Sequence, residues 1–126
     1  MPFKGLKVII ADDDLDMREI ISEYFELAGA QVFSVESGER AFEVFQDQNR
    51  VDLIISDNRM PGMGGIGLLQ TLRELAADLP PFILVSGNAD QPSGDVTGLT
   101  KIIAKPFDVD HLLSEAATAV GREYLL

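Results

Sequence analysis

The stretch KVIIADDDLDMREIISEYFELAGAQVFSV, residues 7–35, decides the fold class. It opens on the apolar run KVIIA (7–11) and closes on QVFSV (31–35), both rich in β-branched residues. Between them Met17, Ile20, Ile21, Tyr24 and Ala28 recur at helical spacing. Asp14 stands where an N-cap belongs, just before a helix starting near Leu15, and Gly29 stands where a C-terminal cap belongs. The unit reads as strand, helix, strand.

The same rhythm continues. Apolar runs return at DLIIS (52–56), FILVS (82–86) and KIIA (101–104). Most of the runs do not alternate, as expected of strands covered on both faces. Helical stripes lie between and after them: Ala41, Phe42 and Phe45 behind a Ser37 N-cap; Leu68, Leu69, Leu72 and Leu75; Leu112, Leu113, Ala116 and Val120 behind an Asp108 N-cap. Alternation of this kind predicts an α/β architecture, a doubly wound five-stranded parallel sheet with helices on both faces. One segment breaks the pattern. GNADQPSGDVTGLT (87–100) carries Gly87, Pro92, Gly94 and Gly98 and no clear apolar stripe, so it predicts a loop or at most a frayed turn, with the fourth helix short or absent.

Composition narrows the function. A chain of 126 residues with 46% apolar content fits a single domain, 1–126, around one core. The formal net charge of −11 repels phosphate backbones and anionic membranes, so neither nucleic acid nor membrane is an expected direct partner. The absence of cysteine excludes disulfides, thiolate metal sites and cysteine nucleophiles. The N-terminus does not read as a secretory signal, and no apolar run approaches the ~18 residues of a membrane span. A cytoplasmic protein is the expectation.

In an open parallel sheet, ligands bind beyond the carboxyl ends of the strands. Asp12 and Asp13 end the first strand, Asp57 the third, Ser86 the fourth, and Lys105 follows the fifth. The three acids offer only oxygen, which suits a hard cation such as Mg²⁺, and a bound cation relieves their mutual repulsion. Asp57 has the chemistry of a nucleophile toward phosphorus, while Lys105, the Ser86 hydroxyl and the cation would stabilise charge on a transferring phosphoryl group. Plainer readings exist for each residue alone: a solvated acidic turn for Asp12 and Asp13, a turn residue ahead of MPG for Asp57, a strand end for Ser86, a surface cation for Lys105. The convergence of all five on one edge favours a site.

The ordered motifs ADDD (11–14), SDNRMPGM (56–63), VSG (85–87) and KPF (105–107) resemble a response-regulator receiver domain of two-component signalling, across essentially the whole chain. The resemblance implies a flavodoxin-like receiver fold with Asp57 as phosphoacceptor. It implies Asp12 and Asp13 as the Mg²⁺-holding pair, with Asp13 the more direct ligand, the Arg59 carbonyl completing the coordination together with Asp57. Ser86 would bond the phosphoryl group after transfer. Lys105 would pair with a phosphoryl oxygen, its bond to Pro106 cis so that the side chain aims back over the strand ends. The donor would be a phosphohistidine on a sensor histidine kinase or phosphotransfer protein, with a downstream protein target as a further partner. Such a domain catalyses its own phosphorylation and slow dephosphorylation. Two features depart from the family pattern: Ile102 stands where an aromatic switch residue is usual, and the 19-residue interval from Ser86 to Lys105 is short.

Two other functions fit the architecture. A non-switching pseudo-receiver would keep the fold as an interaction module. A flavin carrier would need a hydroxyl-rich phosphate loop where this chain has DDDLD, which repels phosphate. Gly62, Gly64, Gly65 and Gly67 have the wrong spacing for a P-loop and read as turn residues. Arg18 reads as a helix-surface charge, His111 has no evident phosphoryl role, and Leu125 and Leu126 suggest packing against a neighbour or a continuing chain.

Overall fold

The strands form where the apolar runs lie: β1 (Lys7–Ala11), β2 (Gln31–Val35), β3 (Leu53–Asp57), β4 (Phe82–Ser86) and β5 (Lys101–Ala104). This computed structural model describes residues 1–76, 78–87 and 94–124. β3 starts one residue later than the apolar run suggests. The Asp52 carboxylate is used to close the preceding loop, accepting the Lys7 amide (2.8 Å) and Arg50 Nε (3.0 Å). The strand then runs through Asp57, which pairs with Val85.

The strands make one sheet in the order β2-β1-β3-β4-β5. Every neighbouring pair is parallel. The winding direction reverses between β1 and β3, and a crevice opens at such a switch point, beyond the carboxyl ends of the strands. Helices α1 (Leu15–Leu27), α2 (Gly38–Asp47), α3 (Gly65–Leu75) and α4 (Val109–Ala119) cover the faces, and no further helix forms among the described residues.

Strand side chains divide by parity. Val8, Ile10, Leu53, Ile55, Ile83, Val85 and Ile103 pack with α1 and α4, through Ile21, Phe25, Leu112, Leu113, Ala116 and Ala117. Ile9, Ala11, Ile54, Phe82 and Leu84 pack with α2 and α3, through Ala41, Leu68, Leu69 and Leu72. Burial on both faces of β1, β3 and β4 explains why their runs read as continuously apolar, while the edge strands β2 and β5 stay partly exposed.

Local signals in the sequence are used much as expected. Asp14 caps α1, its side chain accepting the amides of Asp16 (3.1 Å) and Met17 (3.3 Å). Ser37 caps α2 by accepting the Arg40 amide at 3.1 Å. Asp108 holds the N-cap position of α4, but its side chain makes no capping bond.

The helix faces bring two corrections. Ile20 and Tyr24 are each 46% exposed; the expected Ile21 is buried, with Met17 and Ala28 packed beside it, and the stripe's missing member is Phe25. Successive helical residues point ~100° apart, so Ile20 and Tyr24 lie beside the seam rather than in it. Phe25 sets the seam by packing on Phe3, with ring centroids 4.8 Å apart. Leu75, the last residue of α3, is likewise outside the core.

In the segment between β4 and β5, the described residues 94–100 form turns and bends rather than a helix. Asp95 organises them. Its carboxylate accepts the Thr97 amide (3.0 Å) and hydroxyl (2.6 Å) and pairs with Arg73 of α3 at 3.0 Å. Its carbonyl accepts Gln70 Nε2 at 3.1 Å. The expectation for residues 88–93, and that for Leu125 and Leu126, lie outside the described residues. No helix among the described residues is long and apolar enough to cross a membrane.

Candidate functional site

The register of the sheet brings the acids together. Ala11 pairs with Ser56, so the residues that follow them, Asp12 and Asp57, emerge side by side at the switch point. Asp12 and Asp57 are buried, at 4% and 7% exposure, while Asp13 is exposed. One carboxylate oxygen from each of Asp12, Asp13 and Asp57 lies within 4.8 Å of the others. Lys105, directly after β5, reaches back across the strand ends and places Nζ 2.5 Å from Asp57 Oδ1. The Lys105–Pro106 peptide bond is cis.

Ser86 closes the arrangement on the β4 side. It is buried at the end of the strand, one position past Val85, the partner of Asp57. Its carbonyl accepts the Lys105 amide at 2.8 Å, so the same peptide that positions the serine also positions the lysine backbone. Arg59, two residues past Asp57, is exposed, and its backbone N–H bonds the Asp57 carboxylate. The sheet edge therefore gathers Asp12, Asp13, Asp57, Ser86 and Lys105, with Arg59 in the adjoining loop.

The electrostatics follow from crowding at a partly dry edge. Burial pushes the Asp57 carboxyl above the ordinary aspartate value, against the opposing hydrogen bond and charge of Lys105. Burial also raises Asp12, opposed by the Asp14 amide and reinforced by the charge of Asp57. Burial acts to lower Lys105, but its bond to Asp57 and the charges of Asp57, Asp12 and Asp13 outweigh this and raise it. Three carboxylates face one ammonium, so the cluster carries an excess of negative charge and its donors are all hard oxygens. Both properties fit a small divalent cation such as Mg²⁺, which takes one or two carboxylates and leaves room for phosphate oxygens.

The loop after β3 is held from two sides. Met60 is buried against the α2–α3 core cluster. The Met63 amide donates to both oxygens of Glu39 (3.2 and 3.0 Å), and the Gly38 amide donates to the Met63 carbonyl at 3.2 Å. Gly62 lies at φ +74°, in the left-handed region that favours glycine. Gly65 packs so closely that a Cβ there would sit 2.5 Å from Leu84 Cδ1 and 2.7 Å from the Asp57 carbonyl. These glycines are turn and close-approach residues. Glu39 carried no readable signal, because its partner is a backbone amide 24 positions away. Arg18 also proves to be more than a surface charge, with Nη1 donating to the Asp12 carbonyl at 2.7 Å and Nε to Ser34 Oγ at 3.0 Å.

Fold and pocket together define an acid-lined crevice on a flavodoxin-like sheet, and comparison with known proteins gives that class its family. Residues 8–117 match the response regulator receiver domain, and the chain belongs to that family. It is 37% identical over 122 residues to the C4-dicarboxylate transport transcriptional regulatory protein DctD of Rhizobium meliloti, covering 94% of this chain and 26% of that protein. It is 32% identical over 109 residues to the sporulation initiation phosphotransferase F of Bacillus subtilis, covering 84% of this chain and 86% of that protein. The chain thus spans about a quarter of DctD but most of the phosphotransferase. Among solved structures, the CheY-like receiver domain protein of Methanospirillum hungatei superposes with a TM-score of 0.82 at 21% identity, covering 91% of this chain and 94% of that one. That likeness shows the fold.

Proposed function

We infer that this receiver domain is a Mg²⁺-dependent phosphorylation switch in which Asp57 accepts a phosphoryl group from a phosphohistidine. The observation that carries the reading is the Asp57 carboxylate itself, flanked by two further acids within 4.8 Å and bonded by Lys105 at 2.5 Å. Asp12, Asp13, Asp57 and the Arg59 carbonyl would hold the cation. When bound, Mg²⁺ neutralises the crowded oxygens and draws charge from the phosphoryl oxygens. An Asp57 carboxylate oxygen forms the new bond to phosphorus as the bond between phosphorus and the donor imidazole breaks. The imidazole leaves with the electron pair and takes a proton from solvent. As charge moves outward, the Lys105 ammonium passes from Asp57 to a phosphoryl oxygen, and the Ser86 hydroxyl donates to another.

The donor is a histidine kinase or phosphotransfer protein, and residues 1–126 act as one domain. The match to a protein named as a phosphotransferase, over most of its length, supports a relay role. The non-switching module is not favoured, because the acid cluster and the Lys105 contact are both in place. Incubation with acetyl phosphate and Mg²⁺ should add one phosphoryl mass to the parent chain and none to Asp57→Asn. Equal incorporation in that variant would defeat the assignment.

A further inference from the structure

Arg18 lies on α1, six positions past Asp12, yet its guanidinium folds back onto the strand end. Three contacts hold the Asp12 residue there. Its amide donates to the Val35 carbonyl at 3.1 Å, continuing the β1–β2 ladder. Its carbonyl accepts Arg18 Nη1 at 2.7 Å. Its Oδ1 accepts the Asp14 amide at 2.9 Å. The carbonyl belongs to the peptide plane that joins Asp12 to Asp13, so fixing it fixes the direction in which Asp13 departs. Among the described residues no hydrogen bond holds the Asp13 carboxylate, which is exposed. Its aim is therefore inherited from the backbone.

Arg18 Nε donates at the same time to Ser34 Oγ, on the outermost strand of the sheet, at 3.0 Å. The planar guanidinium thus spans two acceptors on neighbouring strands, a geometry that an ammonium cannot copy. We propose that Arg18 is a positioning residue for the cation site, holding the Asp12–Asp13 peptide so that the Asp13 carboxylate faces Asp12 and Asp57. This rests on the reading of those acids as Mg²⁺ ligands. The bonds of Arg18 go to the Asp12 carbonyl and Ser34 Oγ rather than to the three carboxylates, so it acts on the peptide between two of the proposed ligands. Groups behind the ligands in this way typically change metal affinity by about 10- to 100-fold when removed.

The test is Mg²⁺ binding by isothermal titration calorimetry, with thermal melting in parallel. Arg18→Ala should bind Mg²⁺ about tenfold more weakly. Arg18→Lys keeps the charge on a single donor nitrogen in place of the fork, and Ser34→Ala leaves the guanidinium with one acceptor, so each should fall between Arg18→Ala and the parent. Leu72→Ala, in the core on the opposite face of the sheet from α1, should lower the melting temperature and leave Mg²⁺ affinity unchanged. Should Arg18→Ala fail to fold, the Lys and Ser34 variants carry the same comparison. An Arg18→Ala affinity within about twofold of the parent, with Asp13→Asn abolishing binding, overturns the positioning role and leaves the acid site standing. A parent chain that does not bind Mg²⁺, or an Asp13→Asn chain that binds as well as the parent, overturns the site and this inference together.

Discussion

Replacing Lys105 with Met tests the centre of the proposed phosphoryl site. The ammonium sits 2.5 Å from Asp57 Oδ1, with the lysine side chain 33% exposed and the aspartate 8%. In the proposed transfer this ammonium passes to a phosphoryl oxygen; a hydrogen bond to a charged group is worth about 1.5–3 kcal/mol, and ~1.4 kcal/mol is a factor of ten in rate, so losing that bond in the transition state should slow transfer roughly 10- to 150-fold. Solvent at the lysine screens part of the interaction and moves the expectation toward the lower end. Methionine keeps the length and apolar stem while removing only the charge. Asp57 would remain beside Asp12 and Asp13 without its counter-ion, so its carboxyl should titrate still higher than it does now. The assay follows intact mass over time with acetyl phosphate at saturating Mg²⁺, and calorimetry confirms that the variant still binds the metal. A Lys105→Met chain that phosphorylates within about threefold of the parent would refute the assigned role, since the smallest loss worked out above is about tenfold.

Mg²⁺ at ten times its dissociation constant should stabilise the folded chain by about 1.4 kcal/mol in urea denaturation, and the increment should vanish in Asp13→Asn. The raised carboxyl of Asp12 gives a pH signature: from 3.8 up to its raised value, the metal-free folded chain binds more protons than the unfolded one, so this contribution falls as pH rises through that window. The stability of Asp12→Asn relative to the parent, measured with EDTA, should therefore increase with pH there. Gly65→Ala forces a methyl group against Leu84 and the Asp57 carbonyl and should cost about 1–3 kcal/mol, read by denaturation. Asp95→Ala removes the ion pair to Arg73 of α3 and both bonds to Thr97, keeping only the Gln70 bond to the backbone carbonyl, and should speed hydrogen exchange in residues 94–97 while leaving Mg²⁺ affinity intact.

The positions of β1, β3 and β4 were legible because helices cover both faces of these strands and leave no polar face to blur the apolar runs. The acids were legible because strand ends are countable, and the sheet order then brings the ends of β1 and β3 together. Helix faces were harder. The α1 stripe took in Ile21 correctly but also Ile20 and Tyr24 in place of Phe25, because neighbouring positions share nearly the same periodicity and Phe25 packs on Phe3, a residue outside the helix pattern. Glu39 and Arg18 escaped for another reason. Each bonds to a backbone group, and any residue supplies a backbone amide or carbonyl, so spacing alone carries no mark of the partner. The β4–β5 segment showed through its glycines and proline that a helix would not form, but not that Asp95 would tie it to Arg73 and Gln70.

The pairing of Ala11 with Ser56 also bears on how the chain avoids misassembly. VIIA and LIIS are nearly interchangeable apolar ribbons, and little in their side chains distinguishes one alignment from the next. Sliding either inward by one residue would turn its whole set of side chains over and carry Asp12 or Asp57 from the crevice toward hydrocarbon. Burying either carboxylate among apolar side chains costs several kcal/mol, so the acids that make the crevice also penalise that offset of β1 against β3.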